Sequence, residues 1–187
     1  MKKYFEIIKT VNKDIIIEKF KVHEASRPTG KDDFAHQRIN DLIKSDEIKY
    51  YKCKLKKEAL SSLVLPHHDD DSFSVPSGGK IFYDVISDKN LFKEKANTNC
   101  IRKIIEIKNS LFPKTDTKAW QYSFLLLSND KELVHPGHYH NNYGTDKIYI
   151  ANGFHRLVAY GLALEGLNEF VSIEVYYGEN ERLTLPV

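Results

Sequence analysis

The stretch Lys147–Leu167, KIYIANGFHRLVAYGLALEGL, decides how the C-terminal third of this chain is read. KIYIA has the β-branched and aromatic character of a strand, Asn152-Gly153 is turn chemistry, and the residues that follow are helical in period. Phe154, Leu157, Val158, Gly161 and Leu162 fall at i, i+3, i+4, i+7 and i+8, an apolar stripe that should dock on a sheet. Gly161 on that stripe predicts close approach to a strand. His155 and Arg156 lie off the stripe, in the first turn. There the backbone N–H groups have no acceptor within the helix, and the helix dipole places partial positive charge. Gly153 leaves the backbone unobstructed, and a guanidinium adds a fork of donors matched to phosphate oxygens. Asn152, Gly153, His155 and Arg156 therefore form a candidate phosphate site. The plainer alternative is a turn followed by a surface arginine, and spacing alone does not separate the two.

On the N-terminal side, KYFEIIKTV and DIIIEKFKV are β-branched and aromatic runs parted by Asn12-Lys13, which reads as a hairpin. SRPTGK is a turn, and DDFAHQRINDLIKS carries Phe34, Ile39, Leu42 and Ile43 at near-helical spacing, so one helix is expected. IKYYKCKL alternates as a strand, with the lysines of KCKLKK read as a solvated strand edge. KEALSSLVL reads as a short helical turn, PHHDDDSFSVPSGGK as a loop and KIFYDVI as a further strand. TNCIRKIIEIKNS reads as a helix capped by Asn97 or Thr98. WQYSFLLLS is nearly continuous in apolar residues, the mark of a central strand covered on both faces, and FVSIEVYY closes the fold as the last strand. The C-terminal third is thus strand, helix, strand, and along the chain strands and helices mix without the regular alternation of a doubly wound sheet. The expected class is α+β, a mixed β-sheet with packed helices. Residues 1–47 form an N-terminal hairpin and helix extension, and residues 48–187 the main domain.

The totals agree with a folded globular chain: 187 residues, 41% hydrophobic and 29% charged, enough for one domain with a real core. The 28 Lys+Arg against 26 Asp+Glu leave a formal net charge of +2, too weak a field by itself to point to nucleic acid or an anionic membrane. No run approaches the roughly 18 apolar residues of a membrane span, and the N-terminus has no long apolar core of a leader. Cys53 and Cys100 are too few for a disulfide framework and fit a reducing compartment, so a cytoplasmic location is expected.

Two further clusters carry chemistry. HPGHYHNNYGTD places His135, His138 and His140 close together, and His138 and His140 project to one side of an extended segment. Three imidazoles are a conceivable metal set. His138, His140, Asp146 and Gly153 also loosely echo a cupin metal motif, but a helix follows where a cupin continues in strands. Because the loop leads into the strand that ends at Gly153, His138 and His140 are expected to line the same cleft. The acidic run HHDDD offers hard oxygen ligands for magnesium, although such runs are usually solvated. PSGGK lacks the first Gly and the final Ser or Thr of a phosphate loop, so it is a turn.

The segment ANGFHRLVAYGLALEGLNEFVSIEVYYG resembles the ParB/sulfiredoxin superfamily over about residues 120–177, through Gly153-Phe154-His155-Arg156-Leu157-Val158-Ala159 as a Gly-x-x-Arg-x-x-Ala helix start. The resemblance implies a ParB/sulfiredoxin-like fold whose helix N-terminus cradles nucleotide phosphates, with His155 and Arg156 matching the His-Arg pair of sulfiredoxins and ParB-like serine kinases. Phe154 stands where a sulfiredoxin carries its nucleophilic Cys, which argues against sulfinic-acid reduction. A helix-turn-helix domain of the chromosome-partitioning kind is not expected to follow, which argues against centromere binding. The implied function is a nucleotide-binding enzyme that uses ATP or another nucleotide, with Mg2+, to transfer a phosphoryl group to a small-molecule acceptor or to hydrolyse the nucleotide. Such chemistry asks for a carboxylate near the acceptor, for which Glu106 and Asp146 are the candidates. The alternatives are a ParB-like nuclease acting on DNA or RNA phosphates and a non-catalytic module that senses nucleotide or binds protein.

Overall fold

The computed structural model of the chain describes residues 3–25, 47–65, 74–75, 78–79, 81–111, 124–128, 144, 146–164 and 172–180. The strands are β1 (Phe5–Val11), β2 (Ile48–Leu55), β3 (Leu63–Val64), β4 (Ser74–Val75), β5 (Gly78–Gly79), β6 (Leu125–Ser128), β7 (Ile148–Asn152) and β8 (Ile173–Asn180). The helices are α1 (Lys13–Ala25), α2 (Phe82–Ser87), α3 (Lys89–Glu94), α4 (Asn99–Leu111) and α5 (Phe154–Leu164), with a 3-10 turn at Lys57–Ser61.

Six strands form one mixed sheet in the order β1-β2-β8-β6-β7-β3, and β4 and β5 make a separate two-stranded ladder. β1 pairs antiparallel with β2, and β2 antiparallel with β8. β8 runs parallel to β6, β6 antiparallel to β7, and β7 parallel to β3. The chain is thus α+β with a mixed sheet. β7 and β8, on either side of α5 in the sequence, run in opposite directions with β6 between them. Among the described residues no helix is long and apolar enough to cross a membrane.

Both faces of the sheet are covered, and the strand sequences show why. In β2 and β8, Tyr51, Cys53, Leu55, Ile173, Val175 and Tyr177 lie in one buried cluster with Ile101, Ile104, Leu157, Val158 and Tyr160 of α4 and α5. Tyr50, Leu125, Leu127 and Tyr149 belong to a second cluster with Ile16 and Phe20 of α1. β6 contributes to both, and all four of its residues are buried, as its unbroken apolar run requires.

Three sequence readings are corrected. DIIIEKFKV is not the second strand of a hairpin but the body of α1. The Asn12 side chain accepts from the Asp14 N–H at 2.9 Å, capping the helix, and the helix buries Ile16 and Phe20, one turn apart. The Phe20 ring meets Tyr176 of β8 edge-on. Likewise KIFYDVI is not a strand: residues 82–87 form α2, which buries Phe82, Val85 and Ile86 at helical spacing. The KCKLKK run is not at a sheet edge, because β1 lies outside β2. Its Lys52 is instead bound to Glu174 at 2.6 Å across the ladder. The helix expected within residues 32–45 lies outside the described residues.

Other readings hold in whole or in part. Of KEALSSLVL, residues 57–61 form the expected short helical turn, but Leu63–Val64 is strand β3, paired with β7. The Thr98 hydroxyl accepts from the Ile101 N–H at 3.4 Å, so of the two candidate caps Thr98 starts α4. The approach at Gly161 comes from a helix, not a strand: a Cβ there would stand 2.7 Å from Phe82 Cζ and 2.9 Å from Ile86 Cγ2 of α2. Ala is the better helix former by about 1 kcal/mol, but overpacking a closed core costs about 1–3 kcal/mol. Gly161→Ala is therefore expected to lower the urea midpoint, and Phe82→Leu in the same chain to recover part of the loss. Tyr50 tests the opposite face. Its buried hydroxyl has no hydrogen-bond partner among the described residues, so Tyr50→Phe should raise the midpoint, by about 1 kcal/mol of stability.

Candidate functional site

β7 brings the candidate phosphate site to one end of the sheet. Its alternation places Ile148 and Ile150 in the helix-covered cluster, and Asn152, at its end, is buried at 8% exposure. The chain then turns at once, because Gly153 has φ 87°, a left-handed conformation open to glycine and strained for other residues. The Gly153 carbonyl accepts from the Arg156 and Leu157 N–H groups at 3.1 and 3.0 Å, which makes Gly153 the cap of α5.

The first turn of α5 presents what the sequence placed there. Phe154, His155 and Arg156 are half-buried, while Leu157, Val158, Ala159 and Tyr160 are buried. Each fully buried side chain such as Leu157 or Val158 contributes about 1.5–3 kcal/mol, so the turn sits on a firmly held helix. The Phe154 and His155 rings lie 3.9 Å apart at an interplanar angle of 33°. The phenyl ring thus flanks the imidazole. Arg156 Nη1 is a buried atom, as is Asn152 Oδ1, so these two polar groups are placed by packing and not left to wander in solvent. Asn152, Gly153, His155 and Arg156 therefore share the turn that joins β7 to α5.

The other candidates are elsewhere. Asp146 is exposed and lies at the start of β7, the length of a five-residue strand, about 15 Å, from the Gly153 turn. It pairs with its own neighbour, Lys147, at 3.9 Å. Glu106 is on the exposed side of α4 and makes no ion pair among the described residues. His135, His138 and His140 lie outside the described residues. The strand ends that flank their segment, Ser128 and Ile148, pair with each other at the end of the sheet away from Gly153. Among the described residues no three His, Cys, Asp or Glu side chains are grouped to hold a metal.

That far end holds a polar cluster that the sequence reading missed. Ser128, Glu179 and Asn180 are buried at 4, 6 and 3% exposure. The Tyr51 phenol donates to the Glu179 carboxyl, Ser128 and Tyr177 are hydrogen-bonded, and Lys49 stands across the ladder from Glu179. Glu179 Oε1 is buried and has no hydrogen-bond donor among the described residues. Burial pushes this carboxyl above the usual carboxylate range, against the opposing pull of Tyr51 and Lys49. Burial, with Glu179 beside it, also pushes the Cys53 thiol up to about 12, so it is no nucleophile at neutral pH. One signal was present in the sequence: Ile173, Val175 and Tyr177 alternate inward, and the same period carries Glu179 to the buried face.

Comparison with protein-family models, with curated proteins and with solved structures gave no match for this chain.

Glu179 makes stability depend on pH in a definite direction. A carboxyl raised above its unfolded value binds its proton more tightly in the folded state, so its contribution is complete below the unfolded value and is lost as pH rises through the folded one. Stability from this group should fall as pH rises from about 4.3, the ordinary glutamate value. Glu179→Gln keeps an acceptor for Tyr51 and removes the ionisation. Urea midpoints measured across that range should flatten in the variant relative to the parent.

Proposed function

We propose that this chain binds a nucleotide by its phosphates at the N-terminus of α5 and uses it in phosphoryl transfer to a small-molecule acceptor, or in nucleotide hydrolysis. The observation that carries the reading is the Gly153 turn at φ 87°, which delivers a buried strand straight into a helix whose first turn holds His155 and Arg156. The amides and dipole of that turn favour anionic oxygens. Arg156 supplies a fork of donors, His155 a further donor, and Asn152 shapes the entry. Resemblance of the Gly-Phe-His-Arg segment to the ParB/sulfiredoxin helix start supports the same assignment.

Magnesium fits this reading as an ion carried mainly by the phosphates themselves, as is common for Mg2+ in nucleotide sites, since Asp146, before the start of β7, does not stand at the turn. The placement of Asp146 favours a second reading, a module that binds nucleotide without turning it over. With a formal net charge of only +2, a nucleic-acid substrate ranks behind both.

The test is thermal unfolding with ATP, ADP, CTP and GTP, with and without magnesium, for the parent and Arg156→Ala. A ligand that binds only the native state at a hundred times its dissociation constant adds about 2.7 kcal/mol. The expected result is an upward shift with at least one nucleotide that Arg156→Ala abolishes. No shift, or one that survives the substitution, overturns the reading, and release of phosphate in a turnover assay separates the enzyme from the binding module.

A further inference from the structure

Among the described residues, strand β1 is the outermost strand of the sheet on its side and pairs with β2 alone. Its residues Glu6 to Thr10 are all exposed, and Ile7 and Ile8 are each 42% exposed. An edge that no described residue covers presents a row of backbone donors and acceptors to another strand.

The register of β1 has one irregularity, and it determines which side chains such a strand would meet. Glu6 pairs with Lys54 and Ile7 with Cys53, but it is Lys9 that pairs with Lys52, so Ile8 is an inserted residue. Without the insertion, Glu6 and Lys9 would point to opposite faces. With it, they share the face of Lys54 and Lys52, which are two positions apart on β2. Residues directly opposite in an antiparallel pair must lie on one face, so Glu6 and Lys9 become possible partners between two copies of the strand.

We propose that two copies of this chain associate through β1, antiparallel, about a two-fold axis between Ile7 and Ile8. Glu6 of each copy then faces Lys9 of the other, Ile7 faces Ile8, and the two sheets become continuous. The charges suit this arrangement. Lys9 makes no ion pair among the described residues, and Glu6 is held by Lys54 at 3.6 Å with both side chains well exposed. A two-fold contact is self-complementary and closes at the dimer, so it gives a limited assembly and not a fibre.

Sedimentation velocity of the full chain over a concentration series tests the proposal. The parent is expected to dimerise. Lys9→Glu sets like charges opposite each other at both symmetric positions and should weaken the dimer roughly tenfold. The double substitution Glu6→Lys with Lys9→Glu exchanges the charges and should restore it, which a simple loss of folding would not do. Circular dichroism confirms that each variant is folded. A parent that stays monomeric at every concentration overturns the proposal, as does a dimer that the single substitution leaves unchanged or that the exchange fails to restore.

Discussion

Strand β8 has to be bonded on both edges. It is paired along eight residues with β2 and alongside β6, in a sheet whose two faces are covered by α1 on one side and by α4 and α5 on the other. Peptide groups in such a place meet no water, so their hydrogen bonds must come from neighbouring strands. β8 therefore joins segments far apart in the chain. Packing follows the pairing: Tyr50 of β2 fits over Gly178 of β8, where a Cβ would stand only 2.7 Å from its ring. Strands that neighbour each other only across long stretches of sequence close slowly, and the pieces with local signals have somewhere to dock only once this pairing exists.

The two ends of the sheet have opposite electrostatic character. At the Gly153 end, a helix N-terminus with Arg156 favours negative charge, by about 0.3–1 kcal/mol for the dipole at an exposed site. At the other end, Glu179 is a carboxyl in the covered core that accepts one phenolic hydrogen bond and resists ionisation. Removing a carboxylate from water costs several kcal/mol even after relaxation. Of the two, the buried acid has the larger hold on how stability varies with pH.

Legibility in the sequence follows the distance over which each signal acts. The unit from Ile148 to Leu164 could be read because the apolar period changes from strand to helix at Asn152-Gly153, and every contact that defines it lies within a few residues. The start of α4 at Thr98 and the doubly covered β6 were legible for the same reason. The runs at 14–22 and 80–86 were not. Both are short, apolar and rich in β-branched or aromatic residues, so strand and helix fit them about equally until a surface chooses. For α1 the surface is the face formed by Tyr50, Leu125, Leu127 and Tyr149, and for α2 it is the flank of α5 at Gly161.

The sequence by itself determined the local chemistry: a glycine turn that opens an amphipathic helix on His155 and Arg156, a continuous apolar strand, and a weak net charge. Only the tertiary structure decided that β8 lies between β2 and β6 and that Glu179 is buried beside Tyr51. Those facts depend on which strands pair across long separations, and that choice is made by the burial of both sheet faces together, a property no single segment carries.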